Sequence, residues 1–345
     1  MLRAHGLDAL LVFSPARVRY LTGFTGSSGL AVIGDRRGWL LTDGRYALQS
    51  TQEVSAVRCI IAGGGLVDEM AGRGLLKGVG SVGFEAEDLT FAVHRNLRKR
   101  LPGVTLVPTS GLVEDLMVVK EPEELALIRE AIGISEYVFR EVLALIAPGV
   151  SELELVGRIS ALHRRYGAEG DAFEPIVASG PRSALPHARA SSRRIRKGDL
   201  VTLDLGCVRG GYSSDITRTV AVESLSSRLR RIYQAVYEAG QAAVDQARGG
   251  LDARALDAVA RRVITRHGFG KYFVHSLGHG LGLQVHERPR ISSRSKDRLC
   301  AGSVVTIEPG VYVQDIGGVR IEDDVLLKEQ GCEVLTSVPR ELLIV

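Results

Sequence analysis

Two acidic side chains inside strand-like segments constrain the fold more than any other feature of this sequence. Residues 197–206 read KGDLVTLDLG and residues 212–222 read YSSDITRTVAV, a pattern typical of two strands joined by a short turn. If the turn centres on Arg209 and Gly210, Asp204 and Asp215 face each other across an antiparallel pair, about 5 Å apart. Like charges at that distance repel unless one is protonated or a cation lies between them. The sequence therefore predicts a charged site inside β-structure.

A second acidic pair lies closer to the C-terminal end. Residues 303–308 read SVVTIE, a strand rich in β-branched residues that ends in the carboxylate of Glu308. Residues 311–313 and 319–327 then predict a hairpin around Gly317 and Gly318, and Glu322 falls in its returning strand. Four carboxylates are thus predicted within or at the ends of strands.

The residues between the two acidic pairs supply an imidazole. Five of the eight histidines fall between positions 187 and 286, and HSLGHGLG at 275–282 places glycines on both sides of His279. Those glycines would let the backbone approach a bound group closely. One imidazole and four carboxylates form an oxygen-rich ligand set suited to two divalent ions such as Mn²⁺ or Co²⁺, with Zn²⁺ as an alternative. Two metals about 3.5–4 Å apart can share a hydroxide and polarise a carbonyl, so the pattern favours metal-assisted hydrolysis.

Length and composition exclude several other classes of protein. At about 150 residues per domain, 345 residues indicate two domains. The hydrophobic share of 45% is ordinary for a globular chain, and no apolar run approaches the ~20 residues of a membrane span. The net charge is only +4 and the arginine clusters lack interleaved aromatic residues, so no nucleic-acid partner is expected. Four cysteines without a C-x-x-C spacing indicate reduced thiols and a cytoplasmic protein.

Hydrophobic periodicity divides the chain near residue 111. Residues 1–111 alternate strands and helices and form an α/β domain. The strands are predicted at 9–13, 30–33, 39–42, 81–84 and 104–107, and the helices at 66–73 and 90–100. Residues 112–345 begin with a helix that has Pro122 at its first position, and Ser151 and Glu154 form the capping box of the next helix. From residue 170 onward strands and turns dominate, with two further helices at 226–248 and 252–267.

Six blocks of the second domain follow one another in a characteristic order. They are DLG at 204–206, YSSDITRT at 212–219, HSLGHGLGL at 275–283, VHE at 285–287, TIEPGVY at 306–312 and VRIED at 319–323. This series resembles the signature of the proline-specific metallopeptidases of family M24, the group of Xaa-Pro dipeptidase (prolidase) and Xaa-Pro aminopeptidase. SPARVRYLTGFTG at 14–26 and TDGRY at 42–46 are similar to the creatinase-type N-terminal domain. The resemblance implies an α/β (α+β) chain, with a creatinase-like domain at 1–111 and a pita-bread catalytic domain at 112–345.

The resemblance also implies a ligand set. Carried over residue by residue, it makes Asp204, Asp215, His279, Glu308 and Glu322 the ligands of two divalent metal ions. Asp215 and Glu322 would bridge both ions, and Glu308 would also act as the proton shuttle. Mn²⁺ is the favoured metal, and Co²⁺, Zn²⁺ and Fe²⁺ are the alternatives.

Five further residues receive roles from the same resemblance. His187 matches the histidine that steadies the scissile carbonyl and its oxyanion, and His286 matches a second histidine near the leaving nitrogen. His275 and Arg320 match a histidine and an arginine beside the metals. Arg290 falls where prolidases place an arginine for the free carboxylate of a C-terminal proline.

The resemblance implies hydrolysis of the Xaa-Pro bond in short proline-containing peptides. It also implies a homodimer. The chain length and Arg290 favour the dipeptidase, and Xaa-Pro aminopeptidase acting on longer peptides is the alternative. A methionine aminopeptidase would not normally carry the N-terminal domain, and the creatine-hydrolysing relatives lack the metal ligands. A more distant alternative is a non-catalytic peptide-binding module of the same fold, which typically loses those ligands.

Overall fold

The computed structural model describes residues 1–345, and the chain divides into two compact units, Met1–Met117 and Val118–Val345. The sequence predicts the boundary at residue 111, ahead of the short helix Glu114–Met117. That helix belongs to the first unit, because Arg17 Nη2 lies 2.7 Å from the Glu114 carboxylate. The Tyr20 hydroxyl also donates a hydrogen bond to the Leu116 carbonyl oxygen at 2.9 Å.

The first unit is built around one mixed sheet of six strands in the order β4-β3-β2-β1-β5-β6. Its elements are β1 (Ala9–Val12), α1 (Pro15–Thr22), β2 (Gly29–Gly34), β3 (Gly38–Asp43), α2 (Ala47–Glu53), β4 (Arg58–Ala62), α3 (Leu66–Gly72), β5 (Ser81–Glu85), α4 (Phe91–Arg100), β6 (Thr105–Thr109) and α5 (Glu114–Met117). β1 pairs antiparallel with β2 and parallel with β5, and all four of its residues are buried. A strand buried on both faces reads as a continuous apolar run, which is why the sequence predicts β1 well. The other predicted strands and helices of this unit are confirmed within two residues at each end.

The second unit combines four long helices with four small sheets. Its helices are α6 (Pro122–Leu143), α7 (Glu152–Arg165), α8 (Ser227–Gln246) and α9 (Ala253–Arg266). Its strands are β7 (Gly170–Asp171), β8 (Ile176–Ser179), β9 (Leu200–Leu205), β10 (Cys207–Arg209), β11 (Tyr212–Ser213), β12 (Ile216–Ala221), β13 (Gly278–Gly280), β14 (Glu287–Ile291), β15 (Val304–Ile307), β16 (Gly310–Val313), β17 (Gly317–Arg320), β18 (Asp323–Leu327) and β19 (Cys332–Val334). The sheet orders are β12-β9-β8, β14-β13-β15-β18-β19, β11-β10-β7 and β16-β17.

The helix starts follow the local chemistry of the sequence. Pro122 occupies the first turn of α6, where its missing N–H has no intrahelical partner to lose. The predicted capping box of α7 is confirmed, since the Ser151 hydroxyl accepts from the Glu154 N–H and the Glu154 carboxylate accepts from the Ser151 N–H. The apolar faces of α8 and α9 pack together with the strands β15 to β18 in the largest core cluster of the chain.

The register predicted for the first hairpin is wrong by two residues. Asp204 pairs with Thr217 across β9 and β12, and Arg209 pairs with Tyr212 across β10 and β11. The turn is therefore Gly210-Gly211, and both glycines have positive φ, at 56° and 81°. Two-residue hairpin turns that need positive φ at both central positions strongly favour glycine, so the Gly-Gly pair overrides a turn centred on Arg209.

The second predicted hairpin is displaced as well. Val313 pairs with Gly317 across β16 and β17, so residues 314–316 form the loop and the two glycines lie inside a strand. The loop places Asp315 at φ 61°. A Cβ on Gly318 would lie 2.3 Å from the Ser183 carbonyl oxygen, so this glycine is needed for close packing and not for the turn. Glu322 consequently lies between β17 and β18, outside the returning strand.

Candidate metal centre

One cavity of about 570 Å³ in the second unit collects every residue for which the sequence predicts a role. Its lining includes His187, Asp204, Asp215, His275, His279, His286, Arg290, Glu308, Arg320 and Glu322. Phe173, Ile176 and Pro186 add apolar surface to the same wall. The volume is within the range of sites that bind small molecules. Residues that are more than a hundred positions apart in the sequence are thus brought to one place.

Strand ends present most of the carboxylates. Asp204 lies within β9, whereas Asp215 precedes β12, Glu308 follows β15 and Glu322 falls between β17 and β18. The Glu322 N–H donates to the Thr217 carbonyl oxygen at 3.0 Å, so the chain segments around β12 and β17 are tied together beside the site. A residue at the end of a strand leaves the hydrogen-bonded ladder, and its side chain can turn into a shared centre.

Asp215, His279 and Glu322 form the inner part of this cluster. Each offers a ligand atom, and these atoms all lie within 4.8 Å of one another. The Nε2 atom of His279 is 3.7 Å from Asp215 Oδ2 and 3.6 Å from Glu308 Oε1. Because burial lowers the pKa of His279 to about 4, the imidazole is neutral near pH 7 and does not offset the carboxylates. Its Nδ1–H donates to the Gly280 carbonyl oxygen at 3.1 Å, which leaves the Nε2 lone pair directed at the acids.

The carboxylates raise one another's pKa. Burial raises the pKa of Asp215 well above its ordinary value, and Glu322, Asp204 and Asp324 raise it further. Burial also raises the pKa of Glu308, with Glu322 as the next contribution. For Glu322, burial and then Asp204 raise the pKa to about 7. Without a compensating cation, this cluster holds its negative charge only at a cost in free energy.

Unpaired oxygens in the cluster provide a test of whether the residues fit a metal ion. Asp204 Oδ1 and Asp215 Oδ1 are buried and accept no hydrogen bond from any protein group. Buried polar atoms are nearly always satisfied, and a metal ion would satisfy both. Carboxylate oxygens with one neutral imidazole are also a ligand set for hard or borderline divalent cations. The residues therefore fit divalent metal ions.

The glycines that flank His279 have a different role from the predicted one. A Cβ on Gly278 would lie 1.9 Å from the Thr306 carbonyl oxygen, and a Cβ on Gly280 would lie 2.1 Å from the Arg288 carbonyl oxygen. The close approach is thus to the backbone of the neighbouring strands β15 and β14, and not to a bound group. β13 lies between these two strands in the sheet, and this pairing on both sides fixes the backbone that carries the His279 imidazole.

A hydrogen-bonded chain of polar groups lies against the carboxylates. Arg320 Nη2 donates to Asp204 Oδ2 at 2.5 Å, and Arg320 Nη1 donates to the Tyr312 hydroxyl at 2.8 Å. The Tyr312 hydroxyl is 2.9 Å from Nε2 of His275, whose Nδ1–H donates to the Ser276 carbonyl oxygen at 2.8 Å. This pattern makes His275 the acceptor of the Tyr312 proton, consistent with a pKa that burial lowers to about 4. His275 thus reaches Asp204 only through Tyr312 and Arg320.

The remaining predicted residues lie at the exposed side of the cavity. His187 and His286 are both exposed, and the His286 ring packs edge-on against His279 with centroids 4.4 Å apart. Partial desolvation by the cavity wall, and then the neighbouring His187, lowers the pKa of His286 below its ordinary value. Arg290 is exposed on β14 and is the register partner of His279. These groups are placed where they can meet a ligand that enters from solvent.

Sequence reasoning assigned no role to several residues that shape the site. The Thr217 hydroxyl donates to Glu322 Oε2 at 2.7 Å, and the Asp324 carboxylate accepts from the Asp215 N–H at 3.2 Å. Lys120 forms a buried ion pair with Glu287, next to His286, at 2.7 Å. Tyr312 and Glu287 stand inside the recognised blocks, which is the signal that could have found them. Asp324 and Lys120 carry no such signal, because their partners lie far away in the sequence.

Two family models match the chain. The model of metallopeptidase family M24 matches residues 126–329, and the model of the creatinase/prolidase N-terminal domain matches residues 1–119. The chain therefore belongs to metallopeptidase family M24. The predicted family is confirmed, and the chain is an enzyme of the peptidase class of hydrolases.

Three individual proteins show how close the likeness is. The chain is 42% identical over 339 residues to the uncharacterized peptidase YqhT of Bacillus subtilis, covering 98% of this chain and 96% of the relative. It resembles the structure of an Xaa-Pro dipeptidase from Bacillus anthracis with a TM-score of 0.97 and 41% identity, covering 100% of this chain and 97% of that chain. It resembles the X-Pro aminopeptidase structure from Thermotoga maritima with a TM-score of 0.92 and 37% identity, covering 99% of both chains.

The predicted fold class is confirmed by these matches. The chain is a mixed α/β protein with a creatinase-type N-terminal domain and a pita-bread catalytic domain of the M24 type. Membership of a metallopeptidase family, together with the cluster of Asp215, His279 and Glu322, supports a requirement for divalent metal ions. No helix of the chain is long and apolar enough to cross a membrane.

Proposed function

We propose that this chain is a dinuclear metal-dependent exopeptidase that hydrolyses Xaa-Pro bonds, and that Xaa-Pro dipeptidase is its main activity. The observation that carries the proposal is the convergence of four carboxylates and one neutral imidazole on one cavity, with two buried carboxylate oxygens unpaired. The similarity to an Xaa-Pro dipeptidase over the full chain supports the substrate class. Short proline-containing peptides are the proposed substrates.

Five residues are proposed to hold the metal ions. They are Asp204, Asp215, His279, Glu308 and Glu322, all of which line the cavity. Mn²⁺ is the favoured metal because the donor set is dominated by oxygen, and Co²⁺, Zn²⁺ and Fe²⁺ remain alternatives. When bound, the ions would supply an activated water and polarise the scissile carbonyl.

Glu308 is proposed to move the proton. Its carboxylate faces the cavity with a pKa that burial and Glu322 raise, so it can hold a proton at an intermediate stage of the reaction. It would take this proton from the attacking water and deliver it to the imide nitrogen of proline as the bond breaks. An amide nitrogen needs an incoming proton to leave as an amine, and for proline this proton becomes the N–H that its imide nitrogen lacks before cleavage.

The exposed side of the cavity is proposed to bind the peptide. His187 would donate a hydrogen bond to the carbonyl oxygen as negative charge develops on it, and His286 would lie near the leaving nitrogen. Arg290 supplies a guanidinium at the cavity wall that can bind the carboxylate of a C-terminal proline. Arg320 would orient Asp204 directly, and His275 would act on Asp204 only through the Tyr312 hydroxyl and Arg320.

Xaa-Pro aminopeptidase is the second candidate function. The similarity to the Thermotoga maritima X-Pro aminopeptidase, at 37% identity, favours it specifically. The two activities differ in whether the proline carboxylate is free. Arg290 favours the dipeptidase because a guanidinium at that wall binds the free carboxylate of a dipeptide more strongly than the neutral amide of a longer peptide.

Comparing dipeptides with a tripeptide tests the proposal. The purified chain is reconstituted separately with Mn²⁺, Co²⁺, Zn²⁺ and Fe²⁺ under anaerobic conditions, and release of free proline from Gly-Pro and Ala-Pro is compared with cleavage of Ala-Pro-Ala. Preferred hydrolysis of the dipeptides is expected. Exclusive cleavage of the tripeptide would instead establish the aminopeptidase.

Metal analysis separates the enzyme from a peptide-binding module. Two equivalents of divalent ion per chain and metal-dependent turnover are expected. A chain that binds no divalent ion and hydrolyses no Xaa-Pro peptide would be a binding module. Asp245→Asn on the exposed face of α8 serves as a control, because it removes a carboxylate that does not line the cavity.

A further inference from the structure

Glu152 is a fully buried carboxylate outside the cavity lining, at the first position of α7. Its two oxygens accept hydrogen bonds from two separate points of the chain. Oε1 accepts from the N–H and the hydroxyl of Ser179, both at 2.8 Å. Oε2 accepts from the N–H and the hydroxyl of Ser191, at 2.9 and 2.8 Å. One carboxylate thus joins the two ends of the segment 180–190, which carries His187.

Other contacts of α7 reinforce this junction. Arg182 Nε donates to both oxygens of Glu152, at 3.3 and 3.0 Å, and the Arg182 guanidinium also donates to the Arg189 carbonyl oxygen. The N–H of Leu153 donates to the Ser191 carbonyl oxygen at 3.2 Å. The beginning of α7 therefore holds both ends and one inner residue of the segment.

The same segment is held from the side of the cavity. The Gly318 N–H donates to the Ser183 hydroxyl at 2.8 Å, and Arg320 Nη1 donates to the Pro186 carbonyl oxygen at 3.1 Å. His187 directly follows Pro186, and its ring is exposed at the cavity. The backbone of the segment, fixed between Glu152 and Arg320, therefore determines where this imidazole lies.

We propose that Glu152 is a positioning residue for His187, acting through the loop 180–190. The inference rests on the proposed function, in which His187 binds the scissile carbonyl oxygen. A carboxylate suits this task because both of its oxygens only accept hydrogen bonds, whereas a glutamine offers one acceptor oxygen and an NH₂ group. With glutamine, the N–H of Ser179 or of Ser191 would face a donor, and a buried donor without an acceptor is strongly disfavoured. The loop end on that side would detach.

Glu152→Gln, with Glu154→Gln as its matched control, tests the inference. Glu154 is exposed, lies on the same helix, and accepts hydrogen bonds from Ser151 within its own capping box. We expect Glu152→Gln to lower kcat for Ala-Pro about 10-fold to 100-fold, the range for a displaced catalytic group, and to change KM less than about twofold. Glu154→Gln should keep kcat within about twofold of the wild-type value.

A double-mutant cycle identifies His187 as the group through which Glu152 acts. In a His187→Ala background, Glu152→Gln should lower kcat less than about twofold further, because the positioned group is already absent. Bound metal should stay at the wild-type stoichiometry in all variants. Equal losses of kcat in the wild-type and His187→Ala backgrounds would overturn the inference, since Glu152 would then act on the whole site.

Amide hydrogen exchange provides a readout that does not depend on activity. In the Mn²⁺-loaded protein, Glu152→Gln should accelerate exchange in residues 180–190 by about 10-fold, while Glu154→Gln leaves it unchanged. If Glu152→Gln does not fold, Ser191→Ala removes one hydroxyl donor to Glu152, together with the acceptor of the Arg193 N–H, and should give a smaller change of the same kind. Unchanged exchange in the folded variants would overturn the inference. A wild-type chain without Xaa-Pro hydrolysis would refute the proposed function alone, since exchange still reports whether Glu152 holds the loop.

Discussion

Each of the two units buries acidic side chains, and the two sets differ in what surrounds them. In the first unit, Glu85 accepts from the N–H groups of Phe13 and Ser14 at 2.6 and 3.0 Å, and from Arg17 at 2.9 Å. In the second unit, Asp204 and Asp215 each keep a buried oxygen that accepts no hydrogen bond. A buried carboxylate whose oxygens all accept hydrogen bonds is part of the structural framework. A buried carboxylate with an oxygen that accepts none indicates a missing positive partner.

The same contrast occurs between neighbours in the sequence. Asp323 accepts from Arg218 and from the Thr336 hydroxyl, both at 2.7 Å, and its second oxygen lies 3.0 Å from Arg340. Glu322, the preceding residue, faces the carboxylate cluster and is raised in pKa to about 7. Of two acids adjacent in the sequence, Asp323 is therefore structural and Glu322 belongs to the site. Sequence position alone does not distinguish the two roles.

The largest expected effect is on activity, from Asp215→Asn. Loss of a carboxylate from the inner cluster of proposed metal ligands should lower kcat/KM for Ala-Pro by about 1000-fold or more. The metal-free variant should also unfold at a higher temperature than the metal-free wild type, because one repelling charge is gone. Steady-state kinetics and thermal unfolding measure the two effects. Retained turnover, or a lower unfolding temperature without metal, would contradict the comparison.

Glu85→Gln is expected to show the opposite pattern. The change leaves backbone donors and Arg17 without full partners, so the free energy of unfolding should fall by about 2–3 kcal/mol. The kcat of the folded fraction should stay within about twofold of wild type, because Glu85 belongs to the satisfied framework. Denaturant unfolding measures the free energy of unfolding, and an activity assay at low denaturant measures the kcat of the folded fraction. A Glu85→Gln variant as stable as wild type would show that the hydrogen bonds of Glu85 add little.

The pH dependence of stability should change sign with metal. The pKa of Glu322 is raised to about 7, so the metal-free folded state binds more protons than the unfolded state near neutral pH. Stability of the metal-free protein should therefore increase as pH falls from 8 to 6, by about 1 kcal/mol from Glu322 alone. The metal-loaded protein should instead lose stability on acidification, because protonated ligands release the ions. Unfolding with EDTA and with Mn²⁺ at several pH values compares the two slopes, and equal slopes would contradict a metal centre.

Among the substitutions, Tyr312→Phe is expected to have the smallest effect. The change removes the hydroxyl that links Arg320 to His275 but leaves the proposed metal ligands intact. Groups that orient a metal ligand typically contribute 10-fold or more, so kcat should fall about 10-fold with bound metal unchanged. Loss of metal in this variant would mean that the hydroxyl supports the ligands directly. Tyr237→Phe, on the partly buried face of α8, is the matched control.

Much of the fold was predictable because its signals are local. The buried strand Ala9–Val12 is a continuous apolar run, and the capping box at Ser151 and Glu154 marks the start of α7. The residues assigned a role from the family resemblance all line one cavity, most of them within the ordered blocks. Their individual chemical roles remain predictions.

The errors concern relations that the local sequence does not determine. The first hairpin was assigned the wrong register because the conformational demand of Gly210 and Gly211 outweighs a turn at Arg209. The glycines Gly317 and Gly318 resemble a turn, yet Gly318 serves packing against Ser183, which is far away in the sequence. The local sequence carries no signal for the role of Glu152, since its partners become neighbours only in the folded chain.

The tight fit of Gly278 and Gly280 between adjacent strands limits how the enzyme can be redesigned. Any side chain at either position would overlap a carbonyl oxygen of the neighbouring backbone, so both positions must stay glycine in a mutant library. With the proposed ligands kept, metal preference can be altered through groups that contact them, such as the hydroxyls of Thr217 and Thr306, which bond to Glu322 and to the His279 N–H. A directed-evolution search should randomise these two threonines and leave β13, the strand that carries His279, unchanged.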